Sequence, residues 1–332
     1  MIINSTEKIL LTGSNGMVGN AIQKILKKQI YNKSTFEKNL LCPKRKELDL
    51  LDFEAVKSWF ALNKPNTVII AAAKVGGILA NSSKPYDFIF ENLRIETNLI
   101  EASRLFGVKK ILFLGSSCIY PRLSKQPIKE EYLLESPLEE TNQWYALAKI
   151  SGIKLCESLN LQYGVEAISL MPCNLYGKGD NYNPETSHVI PALINKFYTA
   201  KEKNSKKVIC WGTGHPLREF LYVDDLADAC IFLLKNWQLN LSNSPLNKSS
   251  NRIYWLNVGS GMEISIKDLA KKIAKIIGYQ GDIIWDSSMP DGTPRKVLDI
   301  SRIKSLGWKP KTNLEDGLEI AIKDFKDNIY LK

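Results

Sequence analysis

The chain has 332 residues, 44% of them hydrophobic and 24% charged, which suits one large α/β unit or two domains rather than a single small core. No apolar run approaches the roughly 20 residues of a membrane span. The first one, after Lys8, leads into a glycine motif rather than a cleavage site, so a soluble, cytoplasmic protein is expected.

The net charge is +10, yet the lysines are scattered along the chain and no basic stretch is interleaved with aromatics. Nucleic acid is therefore not an expected partner. Six cysteines without a C-x-x-C pair and only two histidines, His188 and His215, argue against a disulfide scaffold and against a metal site.

In chain order, an apolar strand from Lys8 runs to Gly13 and an amphipathic helix follows to Lys28. A strand at Asn39 to Cys42, a helix at Phe53 to Leu62 and an apolar strand at Thr67 to Ala73 come next. A long helix is predicted from Tyr86 to Phe106, then a strand at Lys110 to Gly115, a helix at Tyr145 to Tyr163 and a strand at Glu166 to Met171. Continuous apolar strands alternating with helices predict a parallel, doubly wound α/β sheet covered on both faces, of the Rossmann kind. Beyond Pro172 the rhythm breaks. A helix is expected at Ile190 to Lys201, a surface loop at the Ser/Asn-rich Leu239 to Asn251, and a strand at Arg252 to Val258 that returns to the main sheet. Short strands are expected around Trp285 and Val297. Residues 1–172 and 217–258 are assigned to a nucleotide-binding domain, and 173–216 and 259–332 to a smaller substrate domain.

Gly13, Gly16 and Gly19, in Thr12-Gly-Ser-Asn-Gly-Met-Val-Gly19, sit between the first strand and the first helix. Glycines there allow a tight turn, close approach of a pyrophosphate and close helix–strand packing, with the helix N-terminus facing the phosphates. The turn after the second strand reads Pro43-Lys44-Arg45-Lys46 instead of carrying the carboxylate that binds a ribose 2′-hydroxyl. Lys44 and Arg45 suit a 2′-phosphate, so NADP(H) is the expected cofactor, with Asp49 and Leu50 flanking the adenine.

Tyr145 and Lys149 lie four apart on one helix, about 130 residues after the glycine motif and about 30 after Gly115-Ser-Ser-Cys118. A phenol starts near a pKa of about 10. A neighbouring ammonium is expected to lower it, so that it exchanges protons with a sugar oxygen, assisted by Ser116.

These motifs identify the chain as similar to the extended short-chain dehydrogenase/reductase family. Longer blocks resemble its GDP-L-fucose synthase branch: Ala71 to Gly77, Gly115 to Pro121, Met171 to Gly177, Ser187 to Pro191, Arg218-Glu-Phe220 with Val223-Asp-Asp225, and Asp291 to Lys296. The resemblance runs from about Lys8 to Trp308. It implies 3,5-epimerisation of GDP-4-dehydro-6-deoxy-D-mannose followed by NADPH-dependent reduction at C4, in a homodimer paired through the Tyr86 to Phe106 and Tyr145 to Tyr163 helices. A C4 ketoreductase acting only on a related GDP-4-keto-6-deoxy sugar, such as a heptose, stays open beside it. A 4,6-dehydratase would need an acidic pair where Ser117-Cys118 stands.

Epimerisation next to a ketone needs a base on one face and an acid on the other. Cys118 and His188 are of the right types, since a thiol titrates near about 8.5 and an imidazole near about 6.5. The resemblance adds Met17, Asn15, Ala72, Lys149, Pro172, Asn174, Leu175 and His188 to the cofactor set. It implies substrate contacts from Ser117, Asn174, Val189, Lys196, Trp211, Arg218 and Lys296. The family often has His-Arg-Gly where this chain has Ser14-Asn15-Gly16, and arginine where Lys196 stands.

Overall fold

The computed structural model describes residues 3–184, 186–238, 245–246, 250–289 and 291–330. The elements of its first half are β1 (Ile9–Thr12), α1 (Met17–Gln29), α2 (Lys33–Asn39), β2 (Leu40–Leu41), α3 (Phe53–Asn63), β3 (Thr67–Ile70), α4 (Ile78–Ser83), α5 (Pro85–Leu105), β4 (Lys110–Leu114), α6 (Gln143–Tyr163) and β5 (Glu166–Pro172). The second half contains β6 (Asn174–Tyr176), α7 (Val189–Glu202), β7 (Lys207–Trp211), β8 (Leu217–Tyr222), α8 (Val223–Asn236), β9 (Trp255–Val258), β10 (Glu263–Ser265), α9 (Ile266–Ile277), β11 (Asp282–Asp286), β12 (Arg295–Lys296), α10 (Ser301–Ser305) and α11 (Leu314–Phe325).

Six parallel strands form the main sheet in the order β2-β1-β3-β4-β5-β9. Every residue of β1, β3 and β4 is buried, as a parallel sheet with helices on both faces requires. α1 packs on α8, while α3 packs on α5 and α5 on α6, which completes the doubly wound Rossmann arrangement expected from the alternation. The strand after Arg252 does return to this sheet, with β9 against β5.

Local chemistry sets the helix ends. Asp52, Ser265 and Asn313 each accept a first-turn N–H of α3, α9 and α11, satisfying donors that the helix itself leaves open. α6 and α9 stop at Gly164 and Gly278, both at positive φ.

Strand order changes direction between β1 and β3, and ligands of open α/β sheets bind outside the carboxyl ends of the strands at such a point. There the chain is packed to the backbone. A methyl group at Gly19 would lie 2.2 Å from the carbonyl oxygen of Gly13, and one at Gly13 would lie 2.7 Å from the backbone of Ala71. Gly19→Ala is therefore expected to destabilise the protein by about 1–3 kcal/mol. The check is a lowered urea midpoint at constant slope; an unchanged midpoint would mean that α1 can lift off the sheet freely.

The rest of the chain builds two small sheets. β8 pairs with β10 and β12 through its first residues and with β6 through its last, while β7 pairs with β11. Helices α7, α9 and α11 cover a second core containing Ile194, Phe197, Phe220, Ile273 and Phe325. β8 lies between the two cores: Phe220 and Tyr222 pack in the second and Leu221 in the first, because successive side chains of a strand point to opposite faces. Leu298, Ile300, Ile303 and Trp308, from the stretch assigned by sequence to the smaller domain, also pack in the first core. The Leu239 to Asn251 stretch lies largely outside the described residues.

Candidate active site

The glycine loop leaves α1 with Gly16 at its N-cap, no side chain capping it and no acidic residue in its first turn. Its leading N–H groups are thus not claimed by protein side chains, and the glycines at 13 and 19 let the loop, the helix and the residues after β3 meet backbone to backbone beside them. This is a backbone cradle for phosphate oxygens, bordered by Asn15 and Met17. Ala72 adjoins it, donating its N–H to Thr12 Oγ1 at 3.4 Å.

Lys44 and Arg45 are exposed on the turn after β2, which is held by the Glu47 carboxylate accepting the Lys44 N–H at 2.9 Å. Asp49 accepts the N–H of Leu51, and Leu50 is anchored by Asn98, which donates to its carbonyl at 2.8 Å. At the far strands, Pro172 ends β5, and Asn174 and Leu175 begin β6, with Asn174 Nδ2 donating to the Glu219 carbonyl at 3.2 Å.

The chemistry gathers at the carboxyl end of β4. Ser116 opens a 3-10 turn (Ser117–Ile119) and accepts the N–H of Cys118, which turns the thiol toward α6. Tyr145 sits in the first turn of α6, and Lys149 one turn further on is buried with its Nζ 5.8 Å from the centre of the Tyr145 ring and 4.7 Å from that of Phe113. Burial, reinforced by Cys118 and then Glu96, holds the Tyr145 phenol well above its ordinary pKa. The ammonium of Lys149 lies 2.9 Å from a carboxylate oxygen of Glu96 on α5.

Lys296 on β12 brings in the second half of the chain, its Nζ lying 3.7 Å from Cys118 Sγ. Strand register places Lys296 opposite Arg218 on β8. Arg218 is half-buried, and burial draws its guanidinium below the usual value while Asp291 works the other way. Trp211 ends β7 as an exposed indole. Lys196 of α7 reaches the same strand, donating to the Ile209 carbonyl at 2.8 Å.

His188 precedes α7 and does not cap it through its side chain, and Val189 is the first residue of that helix. His188 is exposed as a residue, while the protein packed around its ring desolvates it and lowers its pKa. The loop before it is tied to the segment leading into α4 by the Gly77 N–H donating to the Thr186 carbonyl at 3.3 Å. Among the described residues no hydrogen bond or ion pair links His188 to Cys118 or Tyr145. Phenol, ammonium and thiol are thus brought into one cluster, with Lys296 and Arg218 beside it.

Three residues not picked out from sequence belong to this geometry. Glu96 pairs with Lys149. Glu219, buried, accepts the N–H groups of Gly261 (2.6 Å) and Leu298 (2.8 Å), tying β8 to the segment that carries Lys296; burial raises its carboxyl to about 6. Asp291 accepts the N–H and hydroxyl of Thr213, both at 2.7 Å, and faces Arg218. Asp291 and Glu219 lie inside recognisable sequence blocks, whereas Glu96 carries no local signal beyond a charge on the buried face of α5, which also holds Asn92, Asn98 and Ser103.

A Rossmann sheet with a glycine-lined phosphate cradle and a Tyr–Lys pair beside its strand ends defines a nucleotide-cofactor enzyme of the dehydrogenase/reductase type. Residues 9–247 match the NAD dependent epimerase/dehydratase family, and the chain belongs to that family. It is similar to the putative GDP-L-fucose synthase 2 of Arabidopsis thaliana, at 48% identity covering 100% of this chain and 95% of that one. It is also similar to the GDP-L-fucose synthase of Escherichia coli strain K12, at 47% identity covering 98% of both chains. Among solved structures it resembles MlghC, a GDP-mannoheptose C4 reductase from Campylobacter jejuni with NADP bound. That match has a TM-score of 0.86 and 37% identity, covering 98% of this chain and 99% of that one.

Proposed function

We propose that this chain is a GDP-L-fucose synthase, epimerising C3 and C5 of GDP-4-dehydro-6-deoxy-D-mannose and then reducing the C4 ketone with NADPH. The observation that carries the reading is the meeting of the Cys118 thiol with Tyr145 and Lys296 at the end of β4. A reductase needs a proton donor at the ketone oxygen, and an epimerase needs in addition a group that can take the neighbouring carbon-bound proton. The similarity to GDP-L-fucose synthases at 47% and 48% identity supports it.

NADPH, when bound, supplies the hydride that C4 receives. Gly13, Gly16, Gly19 and the first turn of α1 hold its diphosphate. Lys44 and Arg45 pair with the 2′-phosphate by charge-assisted hydrogen bonds. Asp49 and Leu50 border the adenine, and Asn15, Met17, Ala72, Pro172, Asn174, Leu175 and His188 complete the cofactor wall. Lys149 donates to the nicotinamide ribose.

Ser116 and Tyr145 donate to the C4 oxygen. That oxygen carries negative charge when Cys118 removes a proton from the adjacent carbon, and hydrogen bonds aimed at it stabilise the enolate. His188, in its protonated form, returns a proton on the opposite face; before the same exchange repeats at C5, Cys118 releases its proton to solvent and His188 takes one up, so each inversion is proton-neutral. In the reductive step Tyr145 passes its proton to the C4 alkoxide. Arg218 and Lys296 hold the diphosphate, with the planar guanidinium suited to two oxygens at once. Trp211 packs on guanine, and Ser117, Asn174, Val189 and Lys196 contact the rest of the nucleotide sugar.

On this reading 1–172 with 217–258 forms the cofactor unit, and 173–216 with 259–332 the sugar-nucleotide unit. Tyr86, Phe90, Leu105, Trp144, Leu161 and Tyr163 are exposed on or beside α5 and α6, which favours a second copy of the chain covering those helices. All six cysteines are free, which agrees with a reducing, cytoplasmic setting. No helix among the described residues is long and apolar enough to cross a membrane.

The test is turnover of GDP-4-dehydro-6-deoxy-D-mannose and NADPH in deuterated water. Oxidation of NADPH with deuterium at C3 and C5 of the product is expected. Oxidation without deuterium would replace this reading with a C4 reductase, the activity named for MlghC, and absence of oxidation would reject both.

A further inference from the structure

Lys296 reaches the site on β12, a strand of only 2 residues. β8 runs beside it, and the Leu217 N–H donates to the Pro294 carbonyl at 2.9 Å. The backbone groups flanking Lys296 are met by a side chain instead. Gln126 Nε2 donates to the Arg295 carbonyl at 3.0 Å, and Gln126 Oε1 accepts the Val297 N–H at 2.9 Å. Nε2 also donates to the Ser124 carbonyl at 3.3 Å, so the carboxamide is held to its own loop. That loop follows the turn presenting Cys118, whose Sγ lies 3.7 Å from Lys296 Nζ.

Beyond Lys296 the same seam is closed by backbone alone. The Ile128 N–H donates to the Val297 carbonyl, and the Ile128 carbonyl accepts the Asp299 N–H, both at 2.8 Å. The loop therefore stays attached to the segment after β12 without the glutamine. What the carboxamide adds is confined to the stretch from Arg295 to Val297, which aims the ammonium. A planar group with donor and acceptor side by side fits a carbonyl and an N–H two residues apart, in the manner of a neighbouring strand. A side chain lacking them would leave both backbone groups without that partner.

We propose that Gln126 is a positioning residue that aims Lys296 at Cys118 and at the diphosphate of the substrate. The diphosphate half rests on the reading of the substrate as a GDP sugar held by Arg218 and Lys296. Arg218 lies opposite Lys296 in strand register. A shift of β12 therefore changes the spacing of the two cations together with the distance from ammonium to sulfur. Gln126 sets both, because it joins the loop of the thiol to the strand of the lysine.

The experiment compares alkylation of Cys118 by iodoacetate and by iodoacetamide in the unliganded protein. Mass spectrometry of the peptide carrying Cys118 separates it from the other free cysteines. The thiolate displaces iodide from both reagents, so the ratio of their rates cancels the ionised fraction and reads the charge beside sulfur. In Lys296→Met the ratio is expected to fall about three- to fivefold, the weight of a unit charge about 4 Å away even in water. In Gln126→Met it is expected to fall at least about twofold. Gln126→Met/Lys296→Met should fall no further than Lys296→Met alone, because the glutamine acts through the lysine. An unchanged ratio in folded Gln126→Met would overturn the proposal, as would a double variant falling by the product of the two single effects.

Gln126→Asn keeps the amide but withdraws it by one methylene, and the same fall is expected of it should Gln126→Met not fold. The urea transition establishes that each variant is folded. In turnover, the KM for the GDP sugar is expected to rise at least about threefold in Gln126→Met, with NADPH affinity unchanged. A fallen ratio with an unchanged KM would overturn the diphosphate half together with that assignment of Lys296, and would leave the Cys118 half standing. The alkylation needs neither cofactor nor sugar, so it decides the role of Gln126 even where the substrate assignment fails.

Discussion

Tyr145→Phe is expected to slow reduction of the C4 ketone by about 10²–10⁴-fold, the range of a positioned proton donor, while the protein folds and binds NADPH as before. The ring stays, so its contacts with the Lys149 ammonium and the wall of α6 survive. Among the described residues the hydroxyl makes no hydrogen bond that its removal would orphan. What is lost is the proton that must reach the C4 oxygen as hydride arrives at carbon. Because burial holds the phenol above its ordinary pKa, the wild type carries that proton throughout the neutral range. Its reductase rate is therefore expected to be flat there with respect to Tyr145, falling only on the alkaline side. Single-turnover oxidation of NADPH measures the loss, and cofactor fluorescence measures the retained affinity. Reduction at the wild-type rate would remove Tyr145 from the mechanism.

Cys118→Ser separates the two halves of the reaction. Exchange of the C3 and C5 protons is expected to fall by at least about 10²-fold, with reduction of a ketone epimerised beforehand preserved. Serine keeps the backbone N–H donated to Ser116 Oγ and nearly the same volume, so the turn after β4 stays as it is. A hydroxyl is, however, a far weaker acid than a thiol, and its oxygen does not provide a ready base at neutral pH. Lys296 lies 3.7 Å from the sulfur, a contact that the smaller serine hydroxyl reproduces less closely. Deuterium incorporation followed by NMR reads the first effect, and NADPH oxidation reads the second. Undiminished exchange would assign the base to another residue, whereas loss of both steps would mean that Cys118 shapes the whole site.

Glu219 shows how the site is kept together across the two cores. Its carboxyl is pushed up to about 6 by burial, above the ordinary value for glutamate. A carboxyl raised by folding binds more protons in the native state, so its contribution to stability declines as pH rises from about 4.5 through about 6. The backbone N–H groups of Gly261 and Leu298 that it accepts partly oppose this rise.

The glycine cradle, the Tyr145–Lys149 pair and the strand-helix alternation were legible in the sequence because each depends on neighbours in the chain. A helix returns the fourth residue to the same face, a tight turn calls for glycine, and a strand buried on both sides reads as an unbroken apolar run. None of that local logic reaches Lys296 and Cys118, which are 178 positions apart, or Glu96 and Lys149 on different helices. Those pairs come from the packing of α5 on α6 and the register of β12 on β8. Pairing energies of charges depend on distance and burial, quantities that exist only after folding. The ordering of local elements therefore belonged to the sequence itself, and the balance of charge around the reacting phenol was decided by the tertiary structure.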